Sequence, residues 1–172
     1  MFEHLQDHRI ILAVGLHRAG TKILAAMIQH DVGRHMLLFE AAFGDGSVPR
    51  FEALMYEDEF PKVIQCPFML NRIHFYPEAM VVFVHRDLDD ICASMGRQSF
   101  MPNWIRREHD AYHTDRDVFE VKLECWEEQK KLLPHVQEVR YEDLAQHPLW
   151  VPPEIRVRKG YREIECLSNV ST

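Results

Sequence analysis

A short apolar run that ends in a glycine-bearing loop does most to restrict the fold. Arg9-Ile-Ile-Leu-Ala-Val14 is apolar after its first residue and too short for a helix, the pattern of a strand buried on both faces. Gly15-Leu-His-Arg-Ala-Gly20 follows as a turn. Leu24, Met27 and Ile28 then give the i, i+3, i+4 stripe of a helix over Thr21 to His30, with Gly33 as its stop. A strand feeding a helix in this way puts unpaired N–H groups and the positive end of the helix dipole at the loop. Gly15 and Gly20 permit backbone shapes that a Cβ hinders, and Arg18, Thr21 and Lys22 add donors. The alternative is an ordinary turn with incidental basic residues. The flanking strand and helix favour a site for phosphate, sulfate or phosphosulfate.

The rest of the chain extends the alternation. His35 to Pro61 holds an apolar patch (Met36 to Phe39), a Gly44-Asp45-Gly46 turn and a helix around Phe51 to Tyr56. Lys62 to Cys66 reads as a second strand closed by Pro67, and Met80 to Val84 as the clearest strand. After His85-Arg86-Asp87, Leu88, Ile91, Cys92 and Met95 recur at helical spacing, with Asp89 and Asp90 at the positive end of the dipole. Asp117 to Leu133 is the longest expected helix: Phe119, Leu123 and Trp126 share a face, and Glu127 and Lys131 pair at i, i+4. Val136 to Tyr141 supplies a last strand. The expected fold is α/β, a mostly parallel central sheet flanked by helices, with ligands at the carboxyl ends of strands.

With 172 residues, 47% of them hydrophobic, the chain suits one core, read as a domain over 1–150 and a tail over 151–172. A formal charge of −7 disfavours nucleic acid as a partner. No run approaches the roughly 20 apolar residues of a membrane span. Met1 to Arg9 does not read as a signal peptide, and four scattered cysteines (Cys66, Cys92, Cys125, Cys166) fit reduced thiols, so a cytoplasmic setting is expected. His109 and His113 have metal-ligand spacing, but their polar surroundings and the lack of an HExxH pattern favour a solvated face.

Three segments carry a resemblance. His17-Arg18-Ala19-Gly20-Thr21-Lys22 resembles the 5′-phosphosulfate loop of sulfotransferases, with His17 in place of the usual Pro and Lys22 in place of a small hydroxyl residue. Tyr76 to Asp90, with Arg86 and Ser94 eight positions apart, is similar to the family's 3′-phosphate segment, although Leu88 stands where Pro is usual and Asp89 where a base is common. Tyr141-Glu142-Asp143-Leu144, before His147-Pro148, resembles a family signature that we read as structural, with Tyr141 packing and the acids capping a helix.

The resemblance implies a P-loop nucleoside triphosphate hydrolase-like (sulfotransferase-like) fold and 3′-phosphoadenosine 5′-phosphosulfate as donor, with no metal. It implies that residues 17–22, Arg86 and Ser94 bind the donor, and that Arg18 and Lys22 stabilise charge on its leaving phosphate. Gln65-Cys66-Pro67 lacks the catalytic His that one branch of the family carries there, whereas Phe39-Glu40-Ala41 resembles the branch with a Glu base. Glu40 is thus the candidate base, against the readings of a surface carboxylate or an ion-pair partner of Arg34, and His74 is the fallback. Arg158-Lys159-Gly160 resembles a closing segment but follows Leu144 by only 14 residues. The acceptor would be a small molecule or glycan; Phe39, Phe43, Phe51, Tyr56, Phe100, Trp104 and Tyr112 suggest an apolar or aromatic wall for it, with ordinary core packing as the alternative. An ATP–magnesium kinase, with Asp87 as metal anchor, and a non-catalytic binding or scaffold protein are the competing readings.

Overall fold

Burial of the first apolar run organises the molecule. The computed structural model describes residues 1–43, 47–57, 59–96 and 115–152. Strand β1 (Ile10–Gly15) is buried along its whole length. It lies at the centre of an all-parallel sheet, between β3 (Lys62–Gln65) and β4 (Met80–His85). β2 (Met36–Leu38) and β5 (Val136–Arg140) form the edges, giving the order β2-β3-β1-β4-β5. Ile11 pairs with Val63 on one side and Met80 on the other. No helix among the described residues is long and apolar enough to cross a membrane.

The helices are α1 (Thr21–Val32), α2 (Val48–Tyr56), α3 (Leu88–Gly96) and α4 (Asp115–Gln129). Gly33, at φ 72°, ends α1 by donating its N–H to the Gln29 carbonyl at 2.9 Å. Trp126 fixes α4, since its ring stacks on Phe83 of β4 at 4.2 Å and its Nε1 donates to Glu138 of β5 at 2.8 Å.

The strand and helix expectations hold, with four local differences. The apolar patch after His35 is the three-residue edge strand β2, registered on β3. α4 tightens into a 3-10 turn at Lys130–Leu132, so the ion pairs are Lys130–Glu127 and Lys131–Glu128 at i, i+3 rather than Glu127 with Lys131. Asp143 does not cap a helix; it takes two hydrogen bonds from Arg140, at 3.1 and 3.0 Å. Phe43 and Phe51 are fully buried and pack edge to face at 5.5 Å, so they belong to the core and not to an acceptor wall.

The connections define where a ligand fits. The chain leaves β1 toward β2 on one side of the sheet and leaves β4 toward β5 on the other. The neighbouring carboxyl ends of β1 and β4 therefore flank the crevice where parallel sheets collect ligands.

Candidate functional site

The loop between β1 and α1 owes its shape to close neighbours. A Cβ on Gly15 would stand 2.8 Å from the Val84 carbonyl oxygen. A Cβ on Gly20, at φ +104°, would stand 2.6 and 2.7 Å from two carbons of the Tyr141 ring. Arg18 takes the left-handed conformation at φ 70°, uncommon for a residue with a side chain. No side chain caps the N-terminus of α1, whose first helical bond runs from Leu24 N–H to the Gly20 carbonyl at 3.0 Å. Ala19 is buried, Arg18 exposed, and Lys22 half-buried on the first turn.

Arg86, just beyond β4, reaches this loop. Its Nη1 donates to the Arg18 carbonyl at 3.0 Å, and its guanidinium lies 4.4 Å from the centroid of the Tyr141 ring. Its Nη2 also lies 3.6 Å from Asp90 Oδ2. Arg86 Nε is buried and makes no hydrogen bond among the described residues. Ser94, from α3, accepts a hydrogen bond from Arg18 Nε at 3.2 Å. Arg18, Arg86 and Ser94, predicted from separate segments, thus meet in one place.

Two acids there have defined tasks. Asp87 Oδ1 accepts the N–H groups of Asp89 and Asp90, at 2.9 and 3.1 Å, and so caps α3. Glu40 does not pair with Arg34, which donates instead to the Gln6 carbonyl. Its Oε1 lies 3.4 Å from His17 Nε2. The sequence reading missed Gln65, which is buried at the end of β3 and bridges the site. Its Nε2 donates to Thr21 Oγ1 at 3.0 Å, and its Oε1 accepts the Glu40 N–H at 3.0 Å. The one signal was a polar residue closing the apolar run Val63-Ile64.

Other candidates are accounted for by packing. His74 Nδ1 bonds Gln129 Oε1 at 2.6 Å and so ties the 3-10 segment Pro67–Phe75 to α4. Burial pushes the Cys66 thiol well above its usual range, and the Glu40 charge adds to this, which makes it inert. His109, His113, Arg158-Lys159-Gly160, Phe100, Trp104 and Tyr112 lie outside the described residues.

His30, Asp31 and His147 converge elsewhere, with metal-like spacing. His147 Nδ1 accepts the Leu149 N–H at 3.1 Å, so its Nε2 carries the hydrogen given to Asp31 at 2.9 Å. That ring has no lone pair aimed at an ion. Burial opposes the charge on Asp31, but bonds from the Phe2 N–H, His30, the amino group of Met1 and His147 outweigh it and hold the carboxyl well below the usual range. The trio is a hydrogen-bonded hub tying the first residues and the segment after β5 to α1. No protein-family model matches the chain, and no curated protein or solved structure matches it.

Proposed function

We propose that the chain is a sulfotransferase, moving a sulfuryl group from 3′-phosphoadenosine 5′-phosphosulfate to a hydroxyl or amine of a small-molecule or glycan acceptor. The observation that carries this reading is the meeting of Arg18, Arg86 and Ser94 at the adjoining ends of β1 and β4. The buried, unsatisfied Arg86 Nε fits an anionic oxygen, which would complete its hydrogen bonding. In this reading Arg86 and Ser94 hold the 3′-phosphate, and residues 17–22 hold the 5′ end through backbone N–H groups and side chains.

Glu40 takes the proton of the acceptor. As the new sulfur–oxygen bond forms, the bond to the bridging oxygen breaks and its electron pair stays on the 5′-phosphate. Arg18 and Lys22 meet that growing charge. The same geometry weighs against a kinase. A magnesium-binding loop pairs its hydroxyl with a carboxylate, whereas Thr21 is bonded to the neutral amide of Gln65. Asp87, the other candidate anchor, caps α3.

Calorimetric titration with 3′-phosphoadenosine 5′-phosphate, beside ATP–magnesium, tests the reading. The expected result is metal-free binding of the bisphosphate, tighter than that of either ATP–magnesium or ADP. Equal or tighter binding of ATP–magnesium refutes it in favour of the kinase.

A further inference from the structure

We infer that His17 is a positioning residue for Glu40, orienting the carboxylate by an Nε2–H bond to Oε1 so that Oε2 takes the acceptor proton. The inference rests on the sulfotransferase reading and extends it to the residue that stands where the resembling loops carry proline. Three observations carry it. Glu40 is fixed at its backbone, because its N–H is held by Gln65 Oε1 at 3.0 Å, and Gln65 is itself anchored on Thr21. The carboxylate is met by His17 Nε2 at 3.4 Å, while Oε2 makes no hydrogen bond among the described residues. The imidazole is also the more enclosed partner, with 12% of its side chain exposed against 26% for Glu40. The carboxylate thus stands on the solvent side, where an acceptor arrives, and the imidazole stands behind it.

An ionised carboxylate only accepts, so this contact requires a hydrogen on His17 Nε2 and disfavours the neutral tautomer that carries it on Nδ1. Were His17 only a packing residue, its tautomer would be indifferent to Glu40, and the rate would be indifferent to whether position 17 carries a hydrogen-bond donor. Proline at this position offers no such donor. The chain Thr21–Gln65–Glu40–His17 closes on itself, since His17 lies in the loop between β1 and α1 and Thr21 borders it, and so it sets the carboxylate relative to the bound 5′ end.

The test has two arms on the full chain. The first records nitrogen-resolved imidazole NMR spectra of the wild type and of Glu40→Ala, with and without 3′-phosphoadenosine 5′-phosphate. The expected result is an Nε2–H tautomer for His17 in the wild type, lost in Glu40→Ala. An Nδ1–H tautomer, or signals indifferent to Glu40→Ala, overturns the inference. The second follows cleavage of 3′-phosphoadenosine 5′-phosphosulfate with water as acceptor. His17→Ala is expected to lower kcat about tenfold or more, with a smaller change in donor KM, as fits a lost hydrogen bond to a charged group. His17→Gln, whose amide nitrogen can donate from a similar place, should recover most of that loss. Equal rates for the two variants, or loss confined to KM, also overturns it. Failure of the wild type to bind the bisphosphate sinks the sulfotransferase reading, and His17 loses its positioning role with it even if the NMR arm finds the pair.

Discussion

Gly20→Ala tests the anion loop at its tightest point. Its new Cβ would stand 2.6 and 2.7 Å from Tyr141 Cδ2 and Cε2, where carbon atoms ordinarily keep about 3.5–4.0 Å. The ring must therefore retreat by about 1 Å, against a packed surround that includes Trp150 at 5.2 Å. Overpacking of this kind costs about 1–3 kcal/mol. The backbone adds a further ~1–2 kcal/mol, because φ is +104°. The expected total, about 2–5 kcal/mol, is a fall of roughly 4–20 °C in Tm for a chain of this size. Thermal unfolding followed by circular dichroism reads it. Gly33→Ala is the control: that position also has positive φ, but a Cβ there meets nothing within 4 Å, so only the backbone share of about 1–2 kcal/mol should appear. The contact itself is isolated by repeating Gly20→Ala in a Tyr141→Ala background, where the overpacking share should vanish. If Gly20→Ala costs the same in both backgrounds, or no more than Gly33→Ala, then Tyr141 does not brace the loop.

Three further outcomes are expected. Arg86→Ala should weaken 3′-phosphoadenosine 5′-phosphate about 10- to 150-fold, and adenosine 5′-phosphosulfate far less, the residual loss reflecting the hydrogen bond to the Arg18 carbonyl. Equal weakening by calorimetry would make Arg86 a loop support alone. Glu40→Gln should bind the bisphosphate nearly as the wild type does but turn over an active acceptor about 10²–10⁴-fold more slowly, and a wild-type rate removes Glu40 as the base. Burial, with Arg34 assisting, lowers the His35 pKa below its ordinary 6.5, against the raising effect of its bond to the His8 carbonyl. The folded state then binds fewer protons than the unfolded chain. Stability is full above about pH 6.5 and falls as pH drops below it; urea midpoints should show a shallower slope in His35→Gln.

What was legible in the sequence was local. β1, its loop and α1 follow from one apolar run, two glycines and a 3.6-residue stripe, all decided within neighbouring residues. β2 was visible only as an apolar patch, because three residues carry no period and become a strand only by pairing Met36 with Lys62. Gln65 was illegible for the same reason on a larger scale. A polar residue closing a strand acquires its task only when parallel pairing sets it between Thr21 and Glu40. The Glu127 and Lys131 pairing misled because helical spacing was assumed through a segment that tightens, and Asp143 misled because Arg140 lay within reach.

The three resembling segments matter less singly than through the contacts joining them. Tyr141, read as a packing residue, touches Gly20 and faces the guanidinium of Arg86. Arg86 in turn holds the Arg18 carbonyl, and the Arg18 side chain holds Ser94. These contacts tie the ends of β1, β4 and β5 and the α3 helix into one circuit around the crevice. A left-handed arginine such as Arg18, costing roughly 1 kcal/mol, persists only where its surroundings over-determine it, and this circuit does so. Donors fixed before an anion arrives need little reorganisation to hold it, which is the condition for electrostatic stabilisation of a leaving group. A residue identified by its position in a signature thus gains a physical role. Tyr141 carries no charge, yet it packs on Gly20 and faces Arg86, whose guanidinium holds the Arg18 carbonyl, and on the proposed reading these are the two arginines that would meet the donor.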